Sequence, residues 1–186
     1  TEGLIEKIAG NKIDSIVNQI DKTVFICHFS KPLVNHLRLV IAVPPLAELE
    51  QGFTIWMQKV LQLASEIGSS LLFYTNLETR RKMEENKLLK LSGRKISFIE
   101  FTSWDSILLL SGDVRNGDML VLVSARKGSV SYLSALDHLP DKMEKQFNNL
   151  SRIIIFPQQH HVEYVNDRYK DIDAEPLLRG VETLNR

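Results

Sequence analysis

Only one cysteine, Cys27, occurs in 186 residues. An internal disulfide is therefore excluded, and a lone thiol with scattered histidines has no zinc-ligand spacing. A single cysteine also fits a reducing, cytosolic setting. Net charge is missing as well: 23 Lys plus Arg balance 23 Asp plus Glu. That removes the basic face on which a general nucleic-acid binder depends, and the polybasic patch of a protein held electrostatically on a membrane surface. Long apolar runs are absent. Stretches such as Ile153–Phe156 and Ile107–Leu110 fall far short of the roughly 20 residues of a membrane-spanning helix. No signal-peptide pattern is present. The chain opens on Thr1 rather than Met, so it is expected to be a piece of a longer polypeptide, and the lack of a span concerns this piece alone.

What is there is an ordinary globular balance, 44% hydrophobic and 25% charged. A chain of this length buries about 70% of the surface its unfolded form exposes, enough for a core without staples. Residues Gly3 to Ile20 have helical apolar spacing, flawed at Gly10 and Asn11. Thr23 to Phe29 has strand composition, and Cys27 inside the run Val24–Cys27 is expected to be buried and inert. Lys31 to Arg38, with Pro32, is a connector.

A cleaner alternation starts at Leu39. The run Leu39–Val43 predicts a strand covered on both faces, stopped by Pro44 and Pro45. Leu49, Phe53, Trp56, Val60, Leu63, Ala64 and Ile67 recur at three- and four-residue steps, an amphipathic helix closed by Gly68. Ser70–Tyr74 is the next strand, Thr79–Leu89 a charged helix with a solvated face, and Lys95–Phe101 a strand. Trp104–Leu110 is a short apolar helix. Asn116-Gly117-Asp118 is a turn, and Met119–Val123 a fourth strand. After the loop 124–129, Leu133–Phe147 is expected to be helical, with Pro140 either disturbing it or marking a restart, and Arg152–Phe156 is the last strand. The order β-α-β-α-β-α-β-α-β from Leu39 to Pro157 predicts an α/β fold, a three-layer sandwich on a five-stranded, mostly parallel sheet. An extra N-terminal helix and strand precede it. The predicted organisation is a helix–strand segment and connector over residues 1–38, an α/β domain over 39–157 and a polar tail over 158–186.

In such a sheet ligands bind beyond the carboxyl ends of the strands, where strand order reverses. Two loops qualify: Pro44-Pro45 after the first strand of the domain, and the stretch Ser124, Ala125, Arg126, Lys127, Gly128, Ser129 after the fourth. The second offers backbone N–H groups, two hydroxyls and two cationic side chains near a helix N-terminus, the chemistry of an anion cradle. Against it stands the plain alternative of a solvated turn.

The element order, with its loop after the fourth strand, resembles the universal stress protein family over Leu39–Pro157. Leu39–Val43 matches the family's opening strand, Gln51–Gly68 its long first helix, and Asp118–Val123 the strand before the nucleotide loop. Family members that bind ATP carry G-2x-G-9x-G-(S/T) from the end of that strand. Here Val123 and Arg126 take the first two glycine positions, and Leu136-Asp137 the final pair. Glycine at such positions allows close backbone approach and positive φ. Asp137 sets a carboxylate where a hydroxyl for phosphate is expected, and Pro44 replaces the acidic residue usual after the first strand. The resemblance therefore points to the non-ATP branch: no catalysis, no cofactor, and ATP or AMP disfavoured.

A narrower resemblance covers Asp21–Glu50. Thr23–Cys27 followed by Arg38–Pro45 is similar to the cytosolic C-terminal region of bacterial cation/proton antiporters, which carry a stress-protein-like module after their membrane domain. It implies a non-catalytic regulatory domain on the cytoplasmic side of the inner membrane. Its partners would be the membrane antiporter domain of the same polypeptide and a homodimer or pseudo-dimer contact through sheet edges. Residues 1–38 then look like the last helix and strand of a preceding, similar module. The alternative is a stand-alone nucleotide-binding stress-protein-like domain, with Arg126, Lys127, Gly128 and Ser129 on phosphate. A hydrolase or transferase is disfavoured, because no nucleophile–base set is visible. Trp56 and Trp104 lie on apolar faces and are expected in the core. Adjacent His160 and His161 point apart in an extended chain and make a poor metal pair.

Overall fold

The computed structural model describes residue 13 and residues 15–159. Six strands form one sheet: β1 (Val24–His28), β2 (Arg38–Ala42), β3 (Ser70–Thr75), β4 (Ile96–Glu100), β5 (Asp118–Val123) and β6 (Arg152–Phe156). Their spatial order is β1-β6-β5-β2-β3-β4. Five strands run parallel, and β1 is antiparallel to β6. The sheet thus has six strands rather than the predicted five, because the N-terminal strand is laddered onto β6 instead of standing outside. Strand order reverses between β2 and β5, which sets the crevice at their carboxyl ends, flanked by both predicted loops.

The helices are α1 (Phe53–Ile67), α2 (Leu77–Glu85), α3 (Lys87–Leu91) and α4 (Leu139–Gln146), with 3-10 turns at Leu33–Asn35, Ala47–Leu49, Trp104–Gly112 and Ser134–Leu136. Residues 15–19 are helical. In α1 the three- and four-residue spacing buries Phe53, Trp56, Met57, Val60, Leu61 and Ala64, and Gly68 closes the helix at φ 74°. Each large side chain so buried contributes about 1.5–3 kcal/mol. The predicted helix over Thr79–Leu89 is two helices. Asn86 ends α2 and its side chain accepts from the Leu88 N–H at 2.8 Å, capping α3. Asparagine bonds its own downstream backbone better than it continues a helix. The Trp104–Leu110 helix is 3-10 rather than α, kinked at Ser106, and the restart at Pro140 falls in the first turn of α4, where proline lacks no needed donor.

Apolar clusters cover both faces of the sheet. One gathers Leu39, Ile41, Phe73, Val121, Ile153 and Ile155 under α1, α2 and α3. The other gathers Val40, Tyr74, Leu120, Leu122, Ile154 and Phe156 under Val17, Trp104, Leu139 and Met143. Trp56 and Trp104 lie in these clusters, as expected. At the amino ends, Arg38 donates to both carboxylate oxygens of Asp118 (3.0 and 2.5 Å), locking β2 to β5 by a two-pronged pair. Gly52 allows a close approach: a Cβ there would meet the Gln158 nitrogen at 2.3 Å, and its N–H donates to the Gln158 carbonyl.

Candidate functional site

The crevice between β2 and β5 is built from loops that the strand ends leave without regular partners. After β2, Pro44 is buried and Pro45 half-buried. Leu46 then takes a left-handed conformation, φ 64°, and its N–H donates to Thr79 Oγ1 at 3.1 Å. That turn carries the chain into Glu50, a carboxylate only 8% exposed. Across the crevice, the Ser131 N–H (3.0 Å) and Oγ (2.6 Å) both donate to Glu50 Oε1, and Gln159 Nε2 donates to Oε2 at 3.1 Å. A backbone N–H, a hydroxyl and an amide on one anionic group are the donor set a phosphate would draw, and here an internal side chain takes it.

The predicted cradle residues are brought to this end of the sheet but point to other partners. Arg126 donates to the carbonyls of Val17 and Ile20, to the Lys22 carbonyl at 2.7 Å and to the Pro157 carbonyl at 3.2 Å. Its guanidinium thus caps the helical stretch 15–19, satisfying carbonyls a helix end leaves open. Burial lowers its pKa, and the nearby Asp21 charge partly opposes this. Lys127 is exposed and sits 3.9 Å from Asp137. Gly128 adopts φ 88°, and a Cβ there would meet nothing, so its glycine serves the turn and not a close approach. Ser129 Oγ donates back to the Arg126 carbonyl at 2.9 Å.

Ser124 is buried, and its Oγ, like Thr75 Oγ1 and Glu48 Oε2, has no hydrogen-bond partner among the described residues. The cavity beside Arg126 and Lys127 is about 140 Å³, lined also by Tyr132, Asp137 and His138. Small-molecule sites generally need about 300 Å³ or more. Tyr132 Oη donates to both oxygens of Asp137 (2.8 Å each), and this carboxylate raises the phenol pKa. A carboxylate at the mouth repels an entering anion.

Sequence reasoning missed Glu50. It lies just ahead of an amphipathic helix, where an acidic residue reads as solvated, and its donors are 81 and 109 positions away. Cys27 is corrected: it is exposed, not buried, because β1 is an edge strand and, among the described residues, no helix covers the face that carries it. The apolar walls still desolvate the thiolate and raise the thiol pKa. His160, His161 and the rest of the predicted tail from residue 160 lie outside the described residues. Among the described residues, no group of three or more His, Cys, Asp or Glu could hold a metal ion, and no helix is long and apolar enough to cross a membrane. No family model matches the chain, and neither a curated protein nor a solved structure matches it.

Proposed function

We propose that this chain is a non-catalytic, stress-protein-like three-layer module that regulates a bacterial cation/proton antiporter from the cytoplasmic side of the inner membrane, as part of the same polypeptide. The observation that carries the non-catalytic, non-nucleotide part is the Glu50 carboxylate seated on Ser131 and Gln159 in the crevice where strand order reverses. An anion entering there would have to displace a buried carboxylate that already holds the donors, while Arg126 is committed to four backbone carbonyls. The antiporter part rests on the likeness of Asp21–Glu50. Regulation requires that contacts of the module differ between transporter states, since only differential affinity shifts an equilibrium.

Calorimetric titration of ATP and of AMP into the protein tests the crevice. No saturable heat is expected up to millimolar nucleotide. Saturation at micromolar nucleotide would overturn this reading in favour of a stand-alone nucleotide-binding domain. For the transporter link, the upstream reading frame is expected to encode a series of apolar spans of about 20 residues each. Their absence removes it.

A further inference from the structure

Two segments far apart in the chain are related by a pseudo-two-fold axis normal to the sheet. The β1–β6 ladder is antiparallel and centred on Ile26↔Ile154, so equivalent residues differ by 128 (154 − 26). The relation extends beyond the strands. Gln158 N–H donates to Thr23 Oγ1 at 3.0 Å, and Ser30 N–H donates to Ser151 Oγ at 3.0 Å. Thr23 is equivalent to Ser151, and Ser30 to Gln158, so these two bonds are one bond repeated by the axis. Each strand also follows a helix. Residues 15–19 precede β1 and α4 precedes β6, and Val17 packs in the same apolar cluster as Leu139 and Met143. A two-fold normal to the sheet requires both helices on one face, as found.

The equivalence breaks where β6 has a second neighbour and, among the described residues, β1 does not. Ile155 C=O accepts from the Ser124 N–H at 2.7 Å, and Ser151 C=O from Leu120 N–H at 3.0 Å, both toward β5. Antiparallel pairs alternate in direction, so Phe25 and Cys27, opposite Ile155 and Ile153, turn their N–H and C=O away from β6. Among the described residues no strand lies beyond β1. The side chains repeat the contrast. Ile153 and Ile155 are covered by α1. Their equivalents Phe25 and Cys27 instead line an open apolar groove of about 570 Å³, with Phe29, Ile55 and Leu63.

From this we infer that the free edge of β1 and the adjoining groove are an interaction surface for a second α/β module of this same build. That module lays a parallel strand along Phe25 and Cys27 and its own first helix over the side chains of Phe25 and Cys27, against Ile55 and Leu63 of α1. The occupant belongs to the same polypeptide, upstream. The equivalent of β5, which begins at Asp118, falls at 118 − 128, about ten residues ahead of Thr1. The face of β1 whose equivalent helix is present, at 15–19, is partly covered; the face whose equivalent helix would lie further upstream is bare. The inference deepens the reading of residues 1–38 as the end of a preceding, similar module, and it holds or fails without any transport role.

The test compares the 186-residue chain with the natural polypeptide extended upstream by one module length. Amide hydrogen exchange is read at Phe25 and Cys27, and maleimide labelling of Cys27 by peptide mass. In the extended chain both amides are expected to become protected and Cys27 to label at least about tenfold more slowly. Ile55→Glu, at a position 41% exposed in this chain, is expected to restore fast labelling in the extended chain while leaving the melting temperature of the 186-residue chain unchanged. Unchanged exchange and labelling in the extended chain would overturn the inference. So would protected amides together with a two-copy mass for the 186-residue chain alone, which would make a second copy the occupant.

Discussion

The two edges of the sheet have the same alternation of exposure and opposite chemistry. Along β4 the exposed positions are Ser97, Ile99 and Glu100, and along β1 they are Phe25, Cys27 and His28. On the β4 edge the ring is covered locally, since Phe98 stacks on Phe73 at 5.3 Å and Arg80 of α2 lies 5.3 Å above it, and the exposed Ile99 stands between the polar Ser97 and Glu100. Phe25 has no such cover and is 36% exposed. Charged and polar residues blunt an edge that is to stay open. One edge of this sheet is finished within the domain, and the other is built for contact.

The sharpest way to break that comparison is to truncate both edges. Ile26→Ala, on β1 at the centre of its ladder with β6 and packed against the second apolar cluster, is expected to cost about 2 kcal/mol in urea unfolding. Ile99→Ala on β4, 43% exposed, is expected to stay within about 0.5 kcal/mol. Equal costs would mean that β1 is not integral to the sheet. A second measurement sharpens the pseudo-symmetry. Thr23→Val and Ser151→Ala each remove one copy of the same hydrogen bond, so each is expected to cost about 1 kcal/mol. A loss at only one of them would make the two bonds unrelated.

The smallest effect concerns pH. The Cys27 pKa is raised by desolvation in the folded chain, so the unfolded chain loses its proton first. This group therefore leaves stability untouched below the ordinary thiol pKa, about 8.5, and lowers it as pH rises from there toward the folded value. The pH midpoint of Cys27 alkylation is expected above the ordinary value, and Phe25→Ala is expected to move it down by thinning the apolar wall.

Much of the architecture was legible because parallel strands are apolar on both faces. Runs such as Leu39–Val43 and Met119–Val123 cannot alternate, and the helical spacing finds the buried Phe53, Trp56, Val60 and Ala64, though it misses Met57 and Leu61 and counts Leu49, which is exposed ahead of the helix. What stayed hidden depends on partners remote in the chain. Val24–Cys27 is apolar whether both faces are covered or one, so composition could not reveal that Cys27 is exposed. The loop after β5 lies beside the crevice, but nothing in Ser124–Ser129 encodes that Arg126 turns to carbonyls more than 100 residues earlier. Glu50 was invisible for the same reason. The break at Asn86 was missed although its cause is local, because the reading over Thr79–Leu89 followed charge and spacing and not the side chain that caps the second helix.

The short segment Pro157–Gln159 touches almost everything discussed. Pro157 C=O receives Arg126, Gln158 reaches both Gly52 and Thr23, and Gln159 holds Glu50. Mechanically it is a junction: a tug on the backbone at Gln159 is delivered at once to the start of α1, the root of β1 and the plugged crevice.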